Sequence, residues 1–290
     1  MQLTRDILAL KPYIFQIAYN MLASVHEAED VVQDVFEKWL TVTDVATPKA
    51  YLARMAVNRC IKRLDELKKE RETYKGTWLP EPYITTEPDP LPTIEYGLLF
   101  LLERLNPVER AVFVLRESLN DEYAYIAEVT GLTADNCRQV LHRSREKLGR
   151  SATYQPDASA IRSLTEAFLL ALNTQDRSAL ETLLKNDIEL YSDGGGKRSA
   201  ALRPLLGLAK VVKFLLGIMA LPENTTGDMA YQPVYVNGLP AALIIRTGTG
   251  QADSIQYIEA DGSHITRLLS MRNPDKLIVR KTISGLYSIT

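Results

Sequence analysis

YAYIAEVTGLTADNCRQVLHRSREKL, residues 123–148, decides the reading of this chain. Two helices joined by a tight turn need a small residue where they cross, a glycine four residues later, and apolar residues at helical spacing in the second helix. Ala127, Gly131, Cys137, Val140 and Leu141 supply these in order, with Ile126 and Leu132 supporting the core. The second helix, about 134–148, then exposes Asn136, Arg138, Gln139, His142, Arg143, Arg145 and Lys147. Arg, Asn and Gln can form paired hydrogen bonds to base edges, and Lys and Arg reach phosphates. Residues 136–150 carry five Lys/Arg against Glu146, a net +4. A helical hairpin with a solvated basic face is the plainer reading. Motif and charge together favour DNA contact.

Upstream, Leu98, Leu99, Leu101, Leu102 and Leu105 predict a helix that stops before Asn106-Pro107. That pair opens the next helix, with Asn106 as N-cap, Pro107 at the first position and Glu109 completing a capping box. Nearer the N-terminus, Ala28, Val31, Val32, Val35, Phe36, Trp39 and Leu40 form a helical stripe. Glu27, Asp30, Asp34 and Glu37 make an acidic stripe roughly opposite it, either a solubility face or a dock for a basic protein surface. A second basic segment follows. Residues 49–75 hold nine Lys/Arg against four acids, a net +5, and Arg54, Asn58, Arg59, Lys62 and Arg63 lie within about two and a half helical turns.

Between these helices lies KGTWLPEPYITTEPDPLPT, residues 75–93, with five of the chain's 14 prolines. Proline fixes φ and removes a donor, so an extended, non-helical linker is expected. SATYQPD, residues 151–157, is a shorter break. Beyond it the pattern changes. Helical periodicity covers 158–173 and 177–185, followed by β-branched or aromatic runs at 188–191, 231–236, 242–247, 254–259 and 265–271. Asn237-Gly238 and Asp261-Gly262 are hairpin turn pairs. Helices first and antiparallel strands afterwards indicate an α+β domain. The expected organisation is two all-α domains at 1–74 and 95–150, a linker at 75–94, and an α+β domain at 158–290.

HEAEDVVQDVFEKWL and PKAYLARMAVNRCIKRLDELKK resemble region two of the extracytoplasmic-function sigma factors of bacterial RNA polymerase. LNPVERAVFVLRESLNDEYAYIAEVTGLTADNCRQVLHRSREKL resembles their region four. The resemblance implies that Glu27, Asp30, Asp34 and Glu37 lie on the helix that binds the polymerase clamp. It places Arg54, Asn58, Arg59, Lys62 and Arg63 in the segment that melts and reads the minus-ten element. The helix carrying Asn136 to Lys147 would read the minus-thirty-five element. The family's pocket for a flipped base falls at 41–47, where this sequence shows no particular chemistry. Trp78, Leu79, Pro80, Glu81 and Pro82, then Asp193, Gly194, Gly195, Gly196 and Lys197, then Asn273, Pro274, Asp275, Lys276 and Leu277 look like three marker motifs of one subgroup. Its members carry a C-terminal SnoaL-like α+β cone, thought to regulate the sigma factor in cis without a separate anti-sigma protein. Trp78 and Leu79, apolar and proline-stiffened, need a burial site, and a groove near Asp193 or Asn273 is expected because a stiff segment loses little entropy on docking.

Other readings weaken on inspection. A P-loop needs Gly five positions before Gly-Lys and Ser or Thr after it, but those positions hold Tyr191 and Arg198. Asp193, Asp253 and His264 are the visible acid/base candidates of a cyclase-like cone, and no spacing pairs them, so the chain is not expected to be an enzyme. No cofactor or metal is expected. A small-molecule ligand in the cone stays open. Cys60 and Cys137 are far apart and suit a reducing cytoplasm. No signal-peptide core interrupts that expectation, and the apolar stretch at 211–221 is too short to span a bilayer.

The bulk charge misleads. Over 290 residues 34 Lys+Arg against 36 Asp+Glu give −2, which alone argues against nucleic acid. Residues 1–150 hold 20 and 23, yet enclose the +5 and +4 segments and the acidic stripe. A weak net charge implies weak binding to duplex DNA by the chain alone. The expected function is an alternative sigma factor that binds core polymerase and promoter DNA, modulated by its C-terminal domain. The alternative is a helix-turn-helix regulator that works without polymerase and senses a ligand in the cone.

Overall fold

A computed structural model describes residues 6–89, 91, 94–149, 157–221 and 229–280. The chain forms two units. The first takes its described residues from Met1–Thr73 and Asp89–Tyr154, and the second from Tyr74–Pro88 and Gln155–Lys281.

The first unit is helical. It contains α1 (Lys11–Leu22), α2 (Val25–Trp39), α3 (Pro48–Arg71), α4 (Tyr96–Leu101), α5 (Pro107–Phe113), α6 (Tyr123–Thr130) and α7 (Ala134–Leu148). Ser24 caps α2 by accepting from Glu27 N–H, and Val25, Ala28, Val31, Val32 and Val35 face inward. The predicted capping box at Asn106 and Glu109 is formed in both directions. Gly131 ends α6 in the left-handed region at φ 75°, and Thr133 caps α7 by accepting from Asn136 N–H. That turn needs glycine because a Cβ is strained there. Arg110 is buried and donates to the carbonyls of Met21 and Leu102, both at 2.7 Å, which ties α5 to α1. Val114–Ser118 widens into a π-turn directly after α5.

The second unit is a mixed sheet of β1 (Ile84–Thr85), β2 (Leu184–Asp193), β3 (Leu205–Leu206), β4 (Met229–Val236), β5 (Leu239–Arg246), β6 (Gln251–Ala260), β7 (Ile265–Met271) and β8 (Val279–Arg280). Helices α8 (Ala158–Asn173), α9 (Arg177–Leu183) and α10 (Leu208–Met219) pack against it. The strand order is β3-β2-β7-β6-β5-β4-β1-β8. Phe168, Leu180, Ile188, Val211, Val212, Ile258 and Leu268 are core members. β4 through β7 form the expected antiparallel meander, turning at Asn237-Gly238 with φ 49° and 81°.

Two features depart from the expectation of antiparallel strands. β2 runs parallel to β7, because α10 and the meander intervene before the chain returns beside it. Within the proline-rich stretch, β1 pairs antiparallel with β4 and parallel with β8. Tyr74–Pro88 thus belongs to the C-terminal sheet unit.

Candidate functional site

On α7, the residues expected to meet DNA are all exposed: Asn136, Arg138, Gln139, His142, Arg143, Arg145 and Lys147. Cys137, Val140, Leu141, Ser144 and Leu148 are buried, so the helix divides into a packing face and a polar one. Several basic groups are already engaged. Arg138 pairs with Asp135 at 2.5 Å and lies over the Tyr123 ring at 4.9 Å. Arg145 holds Glu117 at 2.7 Å, and His142 faces Glu146 at 3.6 Å. Lys147 donates to both oxygens of Glu109, at 2.6 and 2.8 Å, so one carboxylate serves the α5 cap and anchors α7.

The α2 and α3 residues sort into two sets. Arg63 forms a bidentate pair with Glu27 at 2.7 and 2.8 Å, and Arg59 pairs with Asp34 at 2.8 Å. Half of the acidic stripe therefore fastens α2 to α3. The Arg63 guanidinium holds the Glu27 carboxyl below its ordinary range. Asp30 and Glu37 remain exposed, and Glu37 lines a groove together with Ile7, Leu8, Val32, Phe36 and Leu40. On α3, Arg54, Asn58 and Lys62 are exposed, whereas Arg59 and Arg63 are half-buried.

A clasp that sequence patterning missed joins α1 and α3 to the segment around α6. Tyr13 donates to Asp121 at 2.6 Å, and Lys49 reaches the same carboxylate at 3.4 Å. The Lys49 ammonium also lies 4.2 Å from the Tyr13 ring centroid and 4.9 Å from that of Tyr125. Burial pushes the Tyr125 phenol up to about 12, and burial with the Asp121 bond raises Tyr13 further. Thr47, at the end of the 41–47 loop, donates to the Glu128 side chain at 2.8 Å. Arg54 donates twice to the Glu128 carbonyl, once at 2.9 Å. That carbonyl lies in the last turn of α6, where helix carbonyls carry the negative end of the dipole and attract a cation.

In the second unit the three motifs meet at Asp193, which is fully buried. Its carboxylate accepts from Tyr74 Oη at 2.6 Å, Lys276 Nζ at 2.8 Å, Gly195 N–H at 2.9 Å and Leu79 N–H at 3.0 Å. Lys276 also donates to the Leu79 carbonyl at 2.6 Å and lies 4.5 Å from the Trp78 ring centroid. Asn273 donates to Tyr74 Oη at 3.1 Å, and Lys197 pairs with Asp275 at 2.6 Å. Leu79, Pro80, Glu81 and Pro82 are buried, whereas Trp78 is half-buried. The glycine turn is required sterically. A Cβ on Gly194 would overlap the Arg198 carbonyl, and one on Gly195, at φ 61°, would overlap the Asn273 carboxamide. Pro274 and Leu277 belong to the short 3₁₀ turn, capped by Asn273, that presents Lys276.

Residues 7–70 match the family described as Sigma-70 region 2, and residues 97–148 match Sigma-70, region 4. The ECF RNA polymerase sigma factor SigJ of Mycobacterium tuberculosis is 29% identical over 92% of this chain and 91% of its own. Its crystal structure superposes with a TM-score of 0.76, covering 93% of this chain and 96% of that one. A probable ECF sigma factor of the same organism, SigI, is 31% identical over 61% of this chain and 64% of its own length. The chain is an extracytoplasmic-function sigma factor. Its C-terminal unit is the SnoaL-like α+β domain that the three motifs implied.

The three acid/base candidates of this sigma factor serve separate places. Asp193 is enclosed by the motif residues, Asp253 is paired with Arg246 and Arg272, and His264 is exposed on the turn between β6 and β7. Among the described residues no group of three His, Cys, Asp or Glu is placed to hold a metal ion. Among those residues, too, no helix is long and apolar enough to cross a membrane. Both cysteines are buried, and burial raises their thiol pKa values, which leaves them unreactive.

Proposed function

We propose that this sigma factor programs core RNA polymerase to initiate at a two-part promoter, with the exposed face of α7 reading the minus-thirty-five element and α3 engaging the minus-ten element. The observation that carries the reading is the ordered pair of sigma regions, each presenting basic side chains on a helix packed from behind. Asn136, Gln139 and Arg143 are the base-reading candidates on α7, and Arg138 joins them on leaving Asp135. Arg54, Asn58 and Lys62 are the exposed contacts on α3. Arg54 must first leave the Glu128 carbonyl, so minus-ten contact requires α6 to let go of α3. Exposed Asp30 and Glu37, the latter at the apolar groove beside α2, supply the polymerase contact, whereas Glu27 and Asp34 brace α3.

Regulation in cis follows from connectivity. Tyr74–Pro88 joins the two sigma regions and is held by Asp193 and Lys276. Fifteen residues freed from the sheet would extend up to about 50 Å. Closing the latch removes that reach, and opening it lets the two sigma regions separate to span a promoter. A separate anti-sigma protein is not required by this scheme.

Core-dependent run-off transcription on fragmented genomic DNA tests the reading. Discrete transcripts that need both the chain and core polymerase support it. Tight duplex binding by the chain alone, without transcripts, overturns it in favour of a polymerase-independent regulator.

A further inference from the structure

Between α8 and the β4–β5 pair, the second unit holds a pocket of about 240 Å³. Leu169, Pro233, Pro240 and Ala242 give it apolar walls, and Tyr231 and Tyr235 add aromatic rings. Side chains alternate along a strand, so Tyr231, Pro233 and Tyr235 share one face of β4, opposite Ile244, Ala242 and Pro240 of β5. The volume equals the share of about eight waters at about 30 Å³ each. Covalently linked atoms pack more closely, so a ligand of about a dozen non-hydrogen atoms fills it.

The pocket carries one charge of each sign. Arg162 and Glu166 both line it, are exposed, and lie one turn apart on α8. Residues at that spacing can pair, yet these two do not. Arg162 donates instead to Tyr235 Oη at 2.8 Å and has no carboxylate partner among the described residues. Glu166 has no hydrogen bond or ion pair among those residues. A guanidinium has five N–H donors, so Arg162 retains a fork for an incoming carboxylate. Tyr231 is half-buried, burial raises its phenol pKa, and its hydroxyl bonds to none of the described residues. That hydroxyl is left for whatever fills the pocket.

A small zwitterion matches both charges. The carboxylate and ammonium of an α-amino acid hang from one carbon, and Arg162 and Glu166 have Cβ atoms about 5–6 Å apart. One molecule can therefore meet both. An aromatic side chain suits walls made of proline and tyrosine, because rings gain from edge-to-face and offset contacts. An aromatic acid or an aromatic amine would use only one of the two charges.

The strand that walls this pocket also holds the linker. Tyr235 is the register partner of Thr85 in β1, and Asn237 and Tyr83 exchange two hydrogen bonds, at 3.0 and 3.1 Å. A ligand that braces β4 against α8 also steadies β1.

We propose that this pocket binds an aromatic amino acid as its zwitterion, with the carboxylate on Arg162 and the ammonium on Glu166, and that its occupancy tightens the hold of β4 on the linker strand β1. Any effect of that hold on transcription rests on the sigma-factor reading above; the binding site does not.

The test uses calorimetry on the full chain with L-phenylalanine as the probe. 3-Phenylpropionate, which lacks the ammonium, and phenethylamine, which lacks the carboxylate, are the controls. Saturable binding of L-phenylalanine is expected, with each control at least threefold weaker. Arg162→Met should weaken L-phenylalanine at least threefold and leave phenethylamine unchanged, and Glu166→Gln should do the same while leaving 3-phenylpropionate unchanged. Leu169→Trp, which fills the pocket, should abolish binding, and thermal unfolding checks that all three variants fold. Absence of saturable L-phenylalanine binding overturns the site, as does undiminished affinity in Leu169→Trp. Either control binding as tightly as L-phenylalanine overturns the zwitterion assignment. Hydrogen exchange at residues 83–85 should slow when the ligand is bound, and unchanged exchange overturns the coupling to β1. All of these measurements omit polymerase, so their failure leaves the sigma-factor reading standing.

Discussion

The buried carboxylate of Asp193 accepts a hydrogen bond from the backbone N–H of Leu79, 114 residues earlier, at 3.0 Å. The proline-rich stretch is thereby fixed by its main chain, not only by burial of Leu79. Because Lys276 grips both the carboxylate and the Leu79 carbonyl, all three motifs depend on one charge pair.

Asp193→Asn keeps the size of the side chain and removes its charge, leaving the half-buried Lys276 ammonium facing a neutral amide in place of the carboxylate. Breaking a buried pair from one side costs about 3 kcal/mol, and more when no water can enter. For a unit of this size that lowers Tm by roughly 10 °C. Differential scanning calorimetry should show the transition of the C-terminal unit shifted while that of the helical unit stays in place. In run-off transcription the same variant should change promoter output, as should Trp78→Ala. Unchanged output from both would sink the linker-latch idea.

Gly195→Ala places a methyl group against Asn273 and forces an L-residue to φ 61°. The left-handed conformation alone costs about 1–2 kcal/mol, and displacement of Asn273 adds to it. Urea unfolding should give a larger loss than for Gly250→Ala. Gly250 has a similar φ of 66°, but a Cβ there meets nothing within 4 Å. Equal losses would show that the Asn273 contact contributes nothing.

Much of this was legible in the sequence because it is local. The turn at Gly131, the Asn106 capping box and the meander from β4 to β7 each follow from residues within one element or one turn. The motif residues were legible through a resemblance, whereas their convergence on Asp193 comes from packing. The clasp was not legible. Tyr13 and Asp121 are 108 positions apart, and within α1 Tyr13 reads as an ordinary helix residue. β1 was hidden for another reason: it is two residues long, flanked by prolines, and is a strand only because β4 and β8 border it. Periodicity likewise placed the acidic stripe on α2 but could not show that Glu27 and Asp34 turn toward α3, since that depends on how two helices pack.

Tyr13→Phe removes the hydroxyl that Asp121 accepts while preserving the ring beneath Lys49. Loss of a short bond to a nearly buried carboxylate should cost about 1–2 kcal/mol. A double-mutant cycle of Tyr13→Phe with Lys49→Met, read by guanidinium unfolding, should give a coupling of at least about 0.5 kcal/mol because both groups serve Asp121. Strict additivity would show that the clasp is not a unit.

On α7, Arg143→Ala and Lys147→Met should separate DNA contact from helix anchoring. Arg143 is exposed, so its loss should leave Tm unchanged. Holoenzyme binding should weaken, by about 1–3 kcal/mol if the contact is to a base, with relaxed preference at one position. If the contact is to a phosphate, the salt dependence should fall by about one unit of slope. Lys147→Met should lower Tm as well, because it leaves the Glu109 carboxylate without its ammonium. Filter binding of holoenzyme at several salt concentrations, paired with thermal melts, tells these outcomes apart.

The Glu27–Arg63 pair should make the helical unit sensitive to acid. Hydrogen bonds from Arg63 hold the folded Glu27 carboxyl below its ordinary pKa, so the folded state favours the charged form. A depressed folded pKa stabilises fully above the unfolded value, near 4.3, and that stability is lost as pH falls through the folded value. Discounted for partial exposure, the contribution is about 1 kcal/mol, or roughly 3 °C in Tm. Glu27→Gln should therefore melt below the parent at pH 7, and the gap should close as pH drops below about 4. A gap that persists at pH 3 would mean that Glu27 acts through packing rather than through its charge, and the bracing of α3 by α2 would need another source.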